Sequence, residues 1–248
     1  MKKIGIVLSG GAVRGLAHIG ALKALQEKGI KPSVVSGVSA GAIVGAFYCS
    51  GYTPEEMEKI ALETNFLQYV KPAMPKKSFF YLNHFEKFLD KYLKKENIED
   101  LEIPFYICAT NLNKGKPEYF NSGNLKKLVK ASSSIPILFE PVKIGNYSYV
   151  DGGIMNNLPV EPIKDKVDYI IGIDVNPLET EKDFNNIVSI SIRTLFLAFR
   201  ANIEPRKNLC DLFIQPKNLS DVGLYSIWKA EEAIKKGYET VKNMEIKI

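Results

Sequence analysis

The sequence predicts an α/β fold in which helices cover both faces of a mostly parallel sheet. Short apolar runs typical of buried parallel strands alternate along the chain with longer stretches of helical spacing. This alternation favours strand–helix–strand units over separate strand and helix regions. The length of 248 residues, of which 46% are hydrophobic, suits one large domain, so we expect residues 1–248 to form a single domain.

The predicted elements are bounded by turn-forming residues. Ile4–Leu8 is an apolar run before Ser9-Gly10-Gly11 and is expected to be a buried strand. Thr53-Pro54-Glu55-Glu56 has the residue types of a helix start, because an N-cap and a proline are followed by an acid at the third position. Further strands are predicted at 33–36, 104–109, 119–120, 142–144, 147–150, 169–175 and 212–215. Helices are predicted at 14–28, 40–49, 54–63, 83–94, 124–131, 191–203 and 225–243.

The segment at 65–82 differs from the rest of the chain. Its aromatic residues alternate with lysines, and Pro72 and Pro75 block a regular helix. Two interpretations stay open, a loop that places its aromatic side chains in the core and a lid or interfacial segment over an apolar pocket.

Charge and motif content exclude several classes of protein. The formal net charge is +5, no run of five or more like charges occurs, and no zinc-finger, basic-zipper or RNA-recognition pattern is present. We therefore expect no nucleic-acid partner. A weak attraction to anionic membrane surfaces is compatible with this charge.

Cysteine usage and the amino-terminal residues indicate a compartment. The three cysteines, Cys49, Cys108 and Cys210, have no metal-ligand spacing, and unpaired thiols fit a reducing cytoplasm. The apolar run near the start is too short for a signal peptide, and no run of 18 apolar residues predicts a transmembrane helix. The expected location is the cytoplasm.

The strongest local motif is Gly37-Val38-Ser39-Ala40-Gly41. It follows an apolar strand and precedes an apolar helix, which is the position of a nucleophile elbow. Gly37 and Gly41 permit a tight turn, and the helix N-terminus stabilises negative charge that develops beside Ser39. The motif predicts Ser39 as a nucleophile, with a plain strand–helix turn of small residues as the alternative.

A second glycine-rich turn, Gly10-Gly11-Ala12-Val13-Arg14-Gly15, also lies between a strand and a helix. A dinucleotide-binding loop needs a glycine where Ala12 stands and an acid about 20 residues later. A P-loop needs Gly-Lys-Ser/Thr at its end, and the chain has neither pattern here. The third interpretation is an oxyanion hole whose backbone N–H groups serve Ser39. The sequence favours it, because turns after adjacent parallel strands open at the same edge of a sheet.

The general base has few candidates, since the chain contains only two histidines, His18 and His84. The α/β-hydrolase order of serine, acid and histidine fails because no histidine follows His84. His84 lies in a lysine-rich stretch typical of a surface, and His18 is either the base or a helix-packing residue. If neither histidine serves, a carboxylate must, and Asp151 at the end of a strand is the best one. A simple Asp-Gly turn is the alternative for Asp151.

Together these motifs resemble those of the bacterial patatin-like phospholipases, a family of lipid acyl hydrolases. Residues 8–20 resemble the glycine-rich oxyanion block of the family, residues 37–41 its serine elbow and residues 132–142 a further block. Asp151-Gly152-Gly153 resembles its Asp-Gly-Gly/Ala motif. The similarity spans 4–175, and Ala12 stands where the family usually has a third glycine.

The resemblance implies a three-layer α/β/α fold and a Ser39–Asp151 dyad without histidine. It also implies oxyanion donors among the backbone N–H groups of four residues, Gly10, Gly11, Ala12 and Val13, with Arg14 and Gly15 shaping the loop. An unperturbed aspartate, with a pKa of about 3.9, is a poor base at neutral pH. Burial must therefore raise the pKa of Asp151 if this residue is the base.

The implied activity is hydrolysis of carboxylic esters of lipids through an acyl-enzyme on Ser39, with no metal and no cofactor. The expected partners are lipid or ester substrates, with peripheral contact to a membrane. Two other classes of function stay open. One is an acyltransferase or thioesterase that uses the same dyad, and the other is a non-catalytic regulatory protein on the same fold.

Overall fold

Strands and helices alternate along the chain as predicted and build a mixed sheet between helices. The structure is a computed structural model that describes residues 2–64, 71–72, 80–81, 83–177, 180, 183–224 and 226–248. The predicted loop or lid at 65–82 lies outside the described residues, apart from two short strands that pair with each other.

The main sheet is parallel at its centre and antiparallel toward one end. Within the described residues the strands are β1 Ile4–Leu8, β2 Val34–Val38, β3 Lys71–Pro72, β4 Phe80–Tyr81, β5 Phe105–Asn111, β6 Lys116–Phe120, β7 Val142–Ile144, β8 Tyr147–Asp151, β9 Tyr169–Ile173 and β10 Leu212–Ile214. The order in the main sheet is β10-β9-β1-β2-β5-β8-β7, and β6 pairs with β5. β10, β9, β1, β2 and β5 run parallel, whereas β6 and β8 run antiparallel to β5. The predicted mostly parallel sheet is confirmed, with an antiparallel hairpin of β7 and β8 added to it.

Helices pack on the sheet and connect its strands. The described α-helices are α1 Ala17–Glu27, α2 Ala40–Cys49, α3 Pro54–Glu63, α4 Asn83–Tyr92, α5 Leu125–Ser132, α6 Ile187–Ala201, α7 Glu204–Lys207 and α8 Ala230–Lys242. The capping box predicted at Thr53 is present, because Glu56 N donates to Thr53 Oγ1 at 3.2 Å and Thr53 N donates to Glu56 Oε2 at 2.9 Å. In the part of the chain that is described, no helix has the length and apolar character needed to cross a bilayer.

Three predicted helices begin three or more residues away from the expected position. The helix predicted at 14–28 begins as a 3-10 turn, Ala12–Leu16, and becomes an α-helix only from Ala17. α6 begins at Ile187 rather than 191, since the side chain of Asn186 caps it by accepting a hydrogen bond from Ser189 N at 2.8 Å. α8 begins at Ala230 rather than 225, after a separate 3-10 turn, Ile227–Lys229.

Alternate side chains of β1 reach two cores, one on each face of the sheet. Ile6 and Leu8 pack with α1, α2 and α8, whereas Val7 packs with Leu158 and Ile203 on the other face. Both faces are therefore covered, as a three-layer fold requires. α8 lies so close to α1 that a Cβ at Gly20 would meet the carbonyl oxygen of Ile234. The carboxyl-terminal region is thus an integral part of one helical layer.

The strand order brings the predicted site residues to one place. β2 pairs with the first half of β5, where Val38 lies opposite Cys108. β8 pairs with the second half, where Asp151 lies opposite Ala109. Because Cys108 and Ala109 are neighbours, the end of β8 is brought next to the end of β2 and to the serine that follows it.

Candidate active site

Ser39 occupies a strained turn between β2 and α2. Its backbone has φ 53° and ψ −123°, a conformation that a residue with a side chain rarely adopts. Four neighbours stabilise it. Ser132 Oγ accepts a hydrogen bond from Ser39 N at 2.8 Å. Ser39 O accepts bonds from Ala42 N, Ile43 N and Ser133 Oγ at 2.9, 3.1 and 3.3 Å. Such a turn lifts the Ser39 side chain out of the strand and places it at the N-terminus of α2.

Gly41 is needed for this turn to pack against β1. A Cβ at Gly41 would meet the carbonyl oxygens of Leu8 and Ser9, which are backbone atoms that cannot move aside easily. A Cβ at Gly37 would likewise meet the Gly41 carbonyl oxygen at 2.5 Å. Both predicted glycines therefore lie where β1, β2 and α2 approach each other most closely.

Ser39 and Asp151 are in direct contact. Ser39 Oγ donates to Asp151 Oδ2 at 2.6 Å, across 112 residues of sequence. The other carboxylate oxygen, Oδ1, accepts a hydrogen bond from Gly153 N at 2.8 Å. A Cβ at Gly152 would meet the Cys108 carbonyl oxygen, so this glycine lets the chain turn directly after Asp151. The nucleophile and the base proposed from the sequence thus share one hydrogen bond.

Burial changes the acidity of Asp151. The carboxyl group is fully buried, and the lost hydration disfavours its charged form. This burial raises the pKa of Asp151 to about 7, although the hydrogen bonds from Ser39 and Gly153 pull the pKa in the other direction. The pKa is shifted in the direction that a base acting at neutral pH requires.

The glycine-rich loop lies beside the Ser39 side chain. A Cβ at Gly10 would approach Ser39 Cβ to 3.0 Å, and a Cβ at Gly15 would meet Ala40 Cβ. The turns after β1 and β2 are therefore in contact, as the sequence predicts for parallel neighbours.

The four N–H groups predicted as oxyanion donors do not have equivalent surroundings. Gly10 N donates to Asn157 Oδ1 at 3.1 Å, and Val13 N donates to Leu224 O at 3.2 Å. Among the described residues, the N–H groups of Gly11 and Ala12 make no hydrogen bond to the protein. Two of the four donors are therefore already used within the fold.

Arg14 connects the loop to the carboxyl-terminal part of the chain. Its Nε donates to Val222 O at 2.6 Å, and the side chain is buried. Together with the bond between Val13 and Leu224, this contact connects the outer side of the loop to residues 222–224. The sequence predicted that Arg14 shapes the loop, and the structure shows which segment it contacts.

Within the described residues, the side chain of His18 makes its hydrogen bond to Ser9 and not to Ser39. His18 is buried, and its Nε2 donates to Ser9 O at 2.8 Å. Burial lowers the pKa of His18 to about 4, so the ring is neutral at pH 7. His84 lies in α4, and its side chain is outside the described residues. The geometry therefore favours Asp151 over His18 as the partner of Ser39.

A family model described as "Patatin-like phospholipase" matches residues 6–164. The chain belongs to the patatin-like phospholipase family. The match contains the glycine-rich loop, the serine turn and Asp151, so the resemblance read from the motifs is confirmed. The match also includes Ser132 and Asn157, which contact Ser39 N and Gly10 N.

Curated relatives carry the same domain within much longer chains. "Lysophospholipase nte1" of Aspergillus fumigatus is 27% identical over 269 residues, which cover 96% of this chain and 18% of the relative. "Neuropathy target esterase sws" of Drosophila melanogaster is 36% identical over 194 residues, which cover 74% of this chain and 13% of the relative. The chain thus spans less than a fifth of these relatives.

A solved structure shares the fold. VipD from Legionella pneumophila superposes with a TM-score of 0.56 at 16% identity, and the superposition covers 97% of this chain and 66% of VipD. The patatin-like fold, a mostly parallel sheet between helices, therefore extends beyond the residues that the family model matches.

Several polar residues that surround the site were not predicted from the sequence. Asn157 and Asn176 contact the glycine loop, and Asn202 Nδ2 donates to Gly153 O at 2.8 Å. Ser132 and Ser133 were part of a family block but had no assigned role. The available signals were the Ser-Ser-Ser run at the end of α5 and asparagines a few residues after a 3-10 turn or a strand. Neither signal says which atom is contacted.

A cavity adjoins the glycine loop on the side of α6. Its volume is about 490 Å³, and Arg14, Asn176, Ile192, Phe196, Phe199 and Leu224 are among the residues that line it. Phe199 also approaches the loop after Asp151, since a Cβ at Gly153 would lie 3.2 Å from its ring.

A larger cavity of about 800 Å³ is lined mainly by charged residues of α4, α5 and 140–143, and no predicted site residue lines it.

Among the described residues, no group of three or more His, Cys, Asp or Glu side chains is arranged to hold a metal ion.

Proposed function

We propose that this chain is a serine lipid acyl hydrolase that cleaves carboxylic esters of lysophospholipids or phospholipids. The single observation that supports this most strongly is the buried hydrogen bond of 2.6 Å between Ser39 Oγ and Asp151 Oδ2. Family membership supports the reaction class, and the relatives named as lysophospholipases support the substrate class.

Acylation begins when Ser39 Oγ attacks the ester carbonyl carbon. The proton of Oγ moves to Asp151 Oδ2, and the carbonyl oxygen becomes an oxyanion. When the tetrahedral intermediate collapses, the carbon–oxygen bond to the leaving alcohol breaks and Asp151 returns the proton to that alcohol. A pKa near 7 suits both transfers, since the carboxyl group can accept and release a proton at neutral pH.

Deacylation repeats these steps with water as the nucleophile. Asp151 accepts a proton from the water as its oxygen attacks the acyl carbon, and the bond between that carbon and Ser39 Oγ breaks. The fatty acid is released when this bond breaks. Asp151 then returns the proton to Ser39 Oγ, and this transfer restores the starting state of the protein. An alcohol or thiol acceptor in place of water would make the same chain an acyltransferase.

We assign the oxyanion to the N–H groups of Gly11 and Ala12, because those of Gly10 and Val13 already donate to the protein. Peptide planarity supports this assignment. The carbonyl oxygen of Gly10 accepts hydrogen bonds from Asn176 Nδ2 and from Ser9 Oγ. In a trans peptide the N–H points away from the carbonyl oxygen, so these contacts fix the direction of the Gly11 N–H. Asn176 is thus a positioning residue.

We expect Asn176→Ala to lower kcat about ten-fold with little change in KM. The variant loses the bond to Gly10 O, which lets the Gly11 N–H turn, and removal of a whole oxyanion donor costs about 10²- to 10³-fold in other enzymes. Steady-state kinetics on a soluble ester, together with the Tm, would measure both effects. Asn113→Ala is the matched control, because Asn113 Oδ1 accepts a hydrogen bond from Ser148 N at 2.8 Å outside the site. An unchanged kcat in Asn176→Ala would contradict the positioning role.

Covalent labelling tests the proposed function directly. A fluorophosphonate probe should modify Ser39 at one site, as detected by mass spectrometry of the digested protein. The labelled protein should lose hydrolysis of lysophosphatidylcholine, measured as released fatty acid. A protein that is neither labelled at Ser39 nor active on any ester would support the non-catalytic alternative. Ester products formed with added alcohol, in excess of free fatty acid, would support the acyltransferase.

A further inference from the structure

Helix α6 exposes an apolar stripe to solvent. The positions at the spacing of one helical face are Ile187, Ile190, Thr194, Leu197 and Ala201, and all five are exposed. Ile187 is 79% exposed and Ile190 is 50% exposed. No charged residue belongs to the stripe, whereas the outer face of a surface helix is normally polar.

α6 also lines the cavity beside the glycine loop, and Leu197 belongs both to the stripe and to this lining. Val188, Ile192, Phe196 and Phe199 belong to that lining. Phe199 is the one buried residue that α6 contributes. α6 therefore carries large apolar side chains both on its exposed stripe and in the cavity lining, where Arg193 and Arg200 lie among them.

Two aromatic residues outside the stripe, Phe184 and Trp228, are exposed as well. Phe184, just before α6, is exposed, and Trp228 is 78% exposed. Trp228 follows Leu224, which lines the same cavity, by four residues. Tryptophan, phenylalanine and large aliphatic side chains are the residues that interfacial helices insert at the headgroup boundary of a bilayer.

We propose that the outer stripe of α6 is a docking surface for a phospholipid bilayer, beside the cavity that adjoins the glycine loop. The proposal rests on the proposed function, because it assumes that the substrate is taken from a lipid surface. It assigns the membrane contact expected from the sequence to α6. The net charge of +5 complements an anionic surface, and the apolar stripe supplies attraction that salt does not screen.

The size of the stripe favours a bilayer over a second copy of the chain. A helix of 15 residues is about 22 Å long and about 10 Å wide, so its outer face covers roughly 220 Å². A stable protein–protein interface buries about 800 Å² on each partner. An interfacial helix has no such requirement, since a few large apolar side chains suffice for binding to lipid.

Vesicle binding tests this surface without any hydrolysis. The parent protein is Ser39→Ala, so that a failure of the proposed chemistry does not affect the result. Cosedimentation would use phosphatidylcholine vesicles with about 30 mol% phosphatidylglycerol, at low salt and at about 0.5 M salt. We expect the parent to bind at both salt concentrations. Adding Ile187→Gln and Ile190→Gln should weaken binding about ten-fold or more, because two large aliphatic side chains are removed from the contact.

The matched control carries Lys235→Gln and Glu239→Gln on α8. These exposed side chains form an ion pair at 3.8 Å, so replacing both leaves the net charge unchanged. The substitutions Ile187→Gln and Ile190→Gln on α6 also leave the net charge unchanged. Vesicle binding of the control should equal that of the parent, and the Tm of both variants should match that of the parent. Equal binding by the α6 variant, or no binding by the parent, would overturn the proposal. So would a dimer in light scattering that the α6 substitutions dissociate.

Discussion

Ser39→Ala is expected to lower kcat/KM for ester hydrolysis by about 10⁴-fold or more, and Asp151→Asn by about 10³-fold. The first variant removes the nucleophile, and no other described side chain donates to Asp151 in its place. The second keeps the shape of the side chain but removes the proton acceptor, whose contribution in general base catalysis is about 10²- to 10⁴-fold. Kinetics on a soluble aryl ester and on lysophosphatidylcholine would measure both.

Matched controls exist for both substitutions. Ser36 is a buried residue of β2 whose Oγ has no hydrogen-bond partner among the described residues, so Ser36→Ala should leave the activity unchanged. Asp168 accepts a hydrogen bond from Lys3 N at 2.7 Å far from the site, and Asp168→Asn serves as the control for Asp151→Asn. A Ser39→Ala protein that keeps most of its activity would exclude the proposed nucleophile.

The activity should depend steeply on pH below neutrality. Asp151 must be ionised to accept the proton of Ser39, and burial raises its pKa to about 7. We therefore expect kcat/KM on an uncharged ester to rise about ten-fold per pH unit below pH 7 and to level off above it, so that pH 5 gives about one hundredth of the maximum. Constant activity between pH 5 and pH 8 would contradict the assignment of Asp151 as the base.

The same pKa shift has a consequence for stability. Asp151 has a pKa of about 7 in the native state and about 3.9 when unfolded, so between these values the native protein binds a proton that the unfolded chain does not. The free energy of unfolding therefore falls as the pH rises through this window, by about 4 kcal/mol in all. Asn cannot ionise, so Asp151→Asn should be more stable than the parent at pH 8 and closer to it at pH 5. Urea unfolding at both pH values, with Asp168→Asn alongside, would measure the difference.

The parts of the site that the sequence predicted are those with strong local signals. Gly37 and Gly41 flank the serine because backbone atoms of neighbouring elements leave no room for a Cβ at either position. This steric requirement is visible in the sequence as a short Gly-x-Ser-x-Gly motif. Asp151 stands at a strand end before two glycines for the same kind of reason. Fold class followed in the same way from periodicity, since each strand and helix carries its own pattern.

The parts that the sequence did not predict depend on contacts between distant residues. Asn157 and Asn176 approach Gly10 across 147 and 166 residues, and an asparagine after a strand or turn has no pattern that names its partner. The bond between Val13 N and Leu224 O, which takes one expected oxyanion donor away, also depends on a segment that no motif covers. The early start of α6 depended on one capping residue, Asn186, before a run of apolar residues.

Arg14 and Val13, which are synthesised early, contact residues 222–224, which are synthesised much later. The glycine-rich loop is therefore completed later than its position in the sequence suggests. Ser39 and Asp151 can meet once β8 has been made, but the loop beside them gains its outer support only when Leu224 has emerged and folded back. A growing chain can thus bring Ser39 and Asp151 together well before the glycine-rich loop has its contacts with Val222 and Leu224. Residues 222–224 therefore decide when the glycine-rich loop gains these contacts, although no motif covers them.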